Sequence, residues 1–201
     1  NDPPVTLSGN GSNYDPGRLY DLHYGANLIS YPALGSTYII DAIPDDIEYL
    51  FLGILSEGFS ALNMGGYWVG SLMYFESGAG YWTLVSEDLT FSYETGGGLA
   101  REEILSYVET RPSDSEFKVA QSFHQAFYFV ENITLDEGAI EYGDWLLSYN
   151  GNVLTGIRQW QGGMIDIPAM GMDGSRLTEG YFEEGETPTF KLLQQSTGEY
   201  I

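Results

Sequence analysis

The apolar residues of this chain come in short runs separated by turn residues: Gly and Pro, an Asn-Gly pair, and polar clusters such as Ser86-Glu87-Asp88. The longest, Tyr49 to Leu55, is far too short to span a membrane as a helix. Short apolar runs punctuated by turn residues read as strands, and many such strands in one chain read as sandwiches. Asn27 to Tyr31 is a strand stopped by Pro32. Tyr67 to Leu72, Tyr81 to Val85, Leu89 to Tyr93, Gln125 to Ile133 and Thr189 to Leu193 follow the same pattern. Asp144 to Tyr149 and Asn152 to Arg158 flank Asn150-Gly151, a strong hairpin signal because a type I′ turn needs positive φ twice. Tyr49 to Leu55 fits a buried strand, with a buried helix segment as the competing assignment.

Helical signals are few. Ser36 is placed to cap a short helix through Ala42, and Pro44-Asp45-Asp46 resembles the first turn of another. Ala100 to Glu109 is the best helix, with Ile104, Leu105 and Val108 on one face. Gly96-Gly97-Gly98 reads as a linker. Residues 161–187 are rich in Gly, Asp and Glu and read as a long loop, functional or ordered by ions. Glu199-Tyr200-Ile201 looks like the start of a further strand. The expected fold is mainly β: two β-sandwich-like units with short helices. Residues 1–98 form an N-terminal β-rich unit with an extended polar arm over 1–24. Residues 99–201 form a helix and a second β-rich unit.

The net charge is −22, with only two lysines, Lys118 and Lys191, while aromatics make up 15% of the chain. That aromatic content supports a packed core rather than an acidic disordered chain. The charge repels nucleic acid and anionic lipid, so neither is an expected partner, and membrane insertion is not expected. It attracts hard cations, above all Ca²⁺, whose ligands are oxygens. The absence of cysteine removes disulfides and thiolate chemistry. The opening Asn1-Asp2-Pro3-Pro4 has no Met and no basic leader, as expected of a mature or excised segment.

Acidic residues gather in sequence between Asp136 and Glu186. Asp136, Asp144, Asp166 and Asp173 are the candidate Ca²⁺ ligands, although no EF-hand spacing is present. Among the aromatics, Tyr67, Trp68 and Trp160 are the candidates for stacking on sugar rings, Tyr67 and Trp160 because they lie beside Gly-rich turns. Trp82 and Trp145 lie in apolar runs and are assigned to the core. Asn10 and Asn132 begin N-glycosylation triplets. The only histidines are His23 and His124, with no Gly-x-Ser-x-Gly or His-Glu-x-x-His motif, so no catalytic residues are assigned and no enzyme activity is expected.

Two stretches resemble β-rich modules of secreted and cell-surface proteins from marine Bacteroidetes and uncultured relatives. Gly25-Ala26-Asn27-Leu28-Ile29-Ser30, followed by Gly78-Ala79-Gly80-Tyr81-Trp82, is similar to a Gly-Trp-Asn-Leu-Ile-Ser and Gly-Lys-Gly-Tyr-Trp pattern, with Ala26 in place of the Trp and Ala79 in place of the Lys. Gly143-Asp144-Trp145 through Asn150-Gly151 to Gly156, Trp160, Ile167 to Gly171 and Pro188 to Lys191 resemble a second module found beside it. The resemblance implies secretion and a non-catalytic surface role. The expectation is a secreted structural or adhesive protein, a Ca²⁺-stabilised subunit of an extracellular filament or surface layer. Its partners would be copies of itself or neighbouring surface proteins. The alternative is a carbohydrate-binding module of a larger secreted protein, with polysaccharide as its ligand.

Overall fold

The computed structural model describes residues 15, 17–95, 117–136 and 138–201. The protein is mostly β, built from antiparallel sheets in β-sandwich-like units. The linker at 96–98, the helix at 100–109, Asn10 and most of the N-terminal arm lie outside the described residues.

The first group of strands is β1 (Tyr20–Leu22), β2 (Gly25–Ser30), β3 (Ser36–Tyr38), β4 (Phe51–Leu55), β5 (Ser60–Asn63), β6 (Trp68–Gly70), β7 (Tyr74–Glu76), β8 (Gly80–Val85) and β9 (Leu89–Phe91). Their largest sheet has the order β2-β8-β4-β5-β6, and β1-β9 and β3-β7 form two-stranded ribbons. Strand β1 lies within the segment expected to be a polar arm. Ser36 does not cap a helix; it lies in β3, and helix α1 (Ile39–Ala42) begins after Tyr38.

The period of two is plain in β2 and β8. Ile29 and Tyr81 point inward with Val85, while Leu28 and Trp82 point outward. The inward rings, Tyr20, Tyr31, Phe51, Phe75, Tyr81, Phe91 and Tyr93, form one aromatic cluster with centroids 4.9 to 5.8 Å apart, mostly edge to face. Such contacts add to the gain from burial itself, roughly 1.5–3 kcal/mol per large apolar side chain. Tyrosine hydroxyls need partners in such a core. Tyr31 Oη meets Thr37 Oγ1 at 2.5 Å, Tyr20 Oη donates to Ser30 O at 2.9 Å, and Tyr81 Oη accepts from Glu76 N at 2.7 Å. Tyr93 Oη is buried without a partner among the described residues.

The second group is β10 (Gln125–Val130), β11 (Trp145–Asn150), β12 (Val153–Gln159), β13 (Ile165–Met170) and β14 (Thr189–Leu193). Strand β11 is central in the order β12-β11-β14 and is buried on both faces. Its alternation sends Leu146 to one cluster, with Trp160, Ile165, Ile167 and Leu192, and Trp145 and Leu147 to another, with Ile157. A strand covered on both sides reads as a continuous apolar run, as Trp145-Leu146-Leu147 does.

The segment 161–187 is not one long loop. It contains β13, wholly buried and paired antiparallel with β10. Gly156 of β12 crosses β13 so closely that a Cβ would overlap the Pro168 carbonyl. The β11–β12 hairpin turns at Gly151-Asn152, and Gly151 alone has positive φ, +57°. That is the pattern of a type II′ turn, one residue later than the type I′ turn expected. The C-terminal residues fold back on β14: Ile201 and Leu192 exchange backbone hydrogen bonds at 2.8 and 2.9 Å.

A polar seam joins the two groups. Arg158 Nη2 donates to Gly58 O at 2.6 Å and to Asp166 Oδ2 at 3.0 Å, and its Nε donates to Asp166 O at 2.9 Å. Ser71 donates to both Asp166 carboxylate oxygens, through its backbone N and its hydroxyl. Gln125 accepts from Gly58 N at 3.1 Å and donates to Ser56 O at 2.9 Å.

Candidate functional site

The structure disperses the four aspartates expected to bind Ca²⁺. Asp166 is fully buried in β13 and ion-paired with Arg158. Asp144 is buried and accepts from Gln195 N and Glu141 N at 3.0 and 2.9 Å, closing two loops. Asp173 accepts from Thr178 Oγ1 at 2.6 Å and Ser175 N at 2.9 Å. These donors pull its carboxyl down from 3.8 to about 2, the Thr178 hydroxyl contributing most. Asp136 is exposed in another loop. Among the described residues, no three acidic or histidine side chains converge as a metal site would require. Asn132 is exposed two residues beyond β10.

Two tryptophans exchange their expected places. Trp160 is only 7% exposed and belongs to the Leu146 cluster. The Gly-rich turn beside it forms past the indole, so turn proximity did not mean exposure. Trp82 is 48% exposed, because β8 turns Tyr81 rather than Trp82 inward. Trp145 is buried as expected. The histidines lie in different strand groups. His23 Nδ1 is 2.9 Å from Tyr24 O, and the His124 ring lies against Phe123 at 4.7 Å.

Among the described residues, two apolar surfaces on the first strand group stand out as candidate sites. The first is the outer face of the five-stranded sheet. Register places Ala26, Leu84, Gly53, Leu62 and Val69 opposite one another, one from each strand. A second row runs Leu28, Trp82 and Leu55. Directly opposed residues of antiparallel strands point to the same face. No position in either row is charged. Leu28 is 64% exposed, and Leu52, at the bulge in β4, is also exposed.

The second surface is a cleft of ≈ 240 Å³ at the β6 edge, walled by Tyr38, Tyr67 and Trp68 with Ile40, Leu72 and Met73. Tyr67, in the turn before β6, is exposed. Trp68 Nε1 donates to Glu48 Oε1 at 2.6 Å, which fixes the indole plane. Tyr38 is braced from behind by Tyr74, with ring centroids 4.2 Å apart. Two of the three residues expected to stack on a ligand, Tyr67 and Trp68, thus share one cleft, and Trp160 does not. Tyr38 and Met73 were missed because the register of β3 and β7 brings them there, and no local pattern signals it. Compared with known proteins, the chain matches no family model, no curated protein and no solved structure.

Proposed function

We propose that this protein is a non-enzymatic structural or adhesive subunit, acting in an extracellular setting, that docks a neighbouring subunit through the outer face of its five-stranded sheet. The observation that carries this reading is the uncharged double row from Ala26 to Val69 and from Leu28 to Leu55 on a chain of net charge −22. Apolar side chains exposed at Ala26, Leu28 and Trp82, flanked by the half-buried Leu55, Leu62, Val69 and Leu84, favour an interaction surface on so acidic a protein. Copies meeting there would bring two strongly negative bodies together, so association should rise as salt or divalent cations screen the repulsion.

Docking by addition of the terminal strand from Glu199 is not part of this reading, since those residues are already paired with β14. The test is native mass by light scattering across protein concentration, in low salt, in high salt, with Ca²⁺ and with EDTA. The expected result is a larger particle in high salt or Ca²⁺ that Trp82→Ser and Leu28→Ser shift back to monomer. A monomer under every condition, with both variants indistinguishable from the parent chain, sinks the reading. Growth in Ca²⁺ alone that EDTA reverses would add bridging cations to it.

A further inference from the structure

The cleft beside β6 has chemistry that the docking face lacks. Three aromatic side chains, Tyr38, Tyr67 and Trp68, share its wall. The face of an aromatic ring is electron rich and attracts a cation placed over it. The Trp68 N–H donates to a carboxylate, Glu48, at 2.6 Å. That hydrogen bond pushes electron density into the indole and sets a full negative charge beside the cleft. A second carboxylate, Asp41, follows Ile40 of the cleft wall on α1.

Three of the protein's cations are engaged elsewhere. The described cation–ring contacts place Arg18 over Tyr20, Arg158 over Phe59 and Lys191 over Tyr149. The volume, ≈ 240 Å³, falls below the roughly 300–1,000 Å³ of clefts that hold drug-sized ligands, and it suits one headgroup or one ring. A net charge of −22 raises the local concentration of any cation and lowers that of any anion.

We propose that the Tyr38–Tyr67–Trp68 cleft binds an organic cation with an apolar body, a quaternary ammonium headgroup being its simplest form. Charge complementarity selects this ligand over a neutral sugar. A sugar would need several hydrogen-bonding groups around its ring, whereas the Ile40, Val69, Leu72 and Met73 side chains that complete the wall offer methyl and thioether surface. Methyl groups on a quaternary nitrogen need no hydrogen-bond partner, so such an ion loses less on leaving water than a primary ammonium does.

The test titrates the full chain with choline chloride and, separately, tetramethylammonium chloride, at constant ionic strength, by calorimetry and by NMR shifts. Sodium chloride and methyl β-glucoside are the comparison ligands. The expected result is saturable binding of both ammonium ions at one site. Tyr67→Ala should weaken it about tenfold, and Tyr67→Phe should leave it within about twofold. Tyr67 is exposed, so neither change threatens folding. Glu48→Gln should weaken binding severalfold without abolishing it, since the rings remain. Four outcomes overturn the proposal: no saturable response, an equal response to sodium, indifference to Tyr67→Ala, or binding of the glucoside in place of choline. None of these readouts depends on the mass of the particle, so the docking face and the cleft stand or fall separately.

Discussion

The first strand group fills its interior with rings, and the second stitches its interior with polar side chains. Tyr93 meets four rings edge to face, Tyr20, Tyr31, Phe75 and Phe91, and three of the four tyrosines of the cluster find a hydrogen-bond partner. Around β13, by contrast, Ser148 Oγ donates to Pro168 O at 2.7 Å, Thr155 Oγ1 donates to Ser148 O at 3.0 Å, and Arg158 reaches Asp166. Rings tolerate small shifts because their attraction is spread over many atoms. A buried polar network has no such latitude, because each unmade bond costs the desolvation of its group. The two groups should therefore respond differently to single substitutions.

The sharpest break should come at the seam. Arg158→Met leaves Asp166 buried without its cation and should cost about 3–5 kcal/mol by urea unfolding. Adding Asp166→Leu should recover most of that loss, and no recovery would mean the pair does more than neutralise itself. Next is Gly156→Ala, expected to cost about 3 kcal/mol because the new methyl must displace the Pro168 backbone. The damage should appear in hydrogen exchange of β11 to β13 while β2, β4 and β8 stay protected.

The aromatic side should show a smaller and two-signed response. Tyr31→Phe removes a buried bond to Thr37 and should cost about 1 kcal/mol, whereas Tyr93→Phe removes a hydroxyl with no partner among the described residues and should be neutral or stabilising. Equal losses in the two variants would mean that Tyr93 Oη has a hydrogen-bond partner.

Titration sharpens the contrast further. Burial raises the Tyr81 hydroxyl from 10.0 to about 12, and burial also raises Tyr93. A raised value means that the folded state holds the proton more tightly. The stability it contributes is complete below pH 10.0 and is lost as pH rises toward 12. An unfolding midpoint that stays flat from pH 9 to 12 would contradict this burial. Asp173 has the opposite sense: its contribution is present above 3.8 and fades as pH falls toward 2. Asp173→Asn should flatten that acid slope slightly, the smallest of these effects, because the group lies near the surface.

Much of this fold could be read from the chain. Thr189 to Leu193 and the apolar runs of β8 and β11 are strands as expected, each set between turn residues, whereas of Tyr49 to Leu55 only Phe51–Leu55 is a strand and its first two residues close a 3-10 turn over Glu48–Leu50. Strand β13 was hidden because Asp166 and Pro168 interrupt it, and both normally argue against an interior strand. Its polar interruptions are satisfied by Arg158, Ser71 and Ser148, residues near or far in sequence that only the fold brings together. Candidate ligand residues were harder still. A carboxylate in a Gly-rich segment looks the same in sequence whether it caps a turn, as Asp173 does, or holds an ion. Only the Tyr67-Trp68 pair was legible, because its place beside Gly65-Gly66 set it at a strand end.

The exchange of places between Trp82 and Trp160 has an optical consequence. The first strand group carries Trp82 in contact with water and Trp68 half-covered, while Trp145 and Trp160 of the second group are sealed in apolar clusters. An indole emits at longer wavelength in water than in a dry core. The native spectrum should therefore separate into a red component from the first group, which acrylamide quenches, and a blue component from the second, which it does not. The chain carries its own colour code for which half comes apart first.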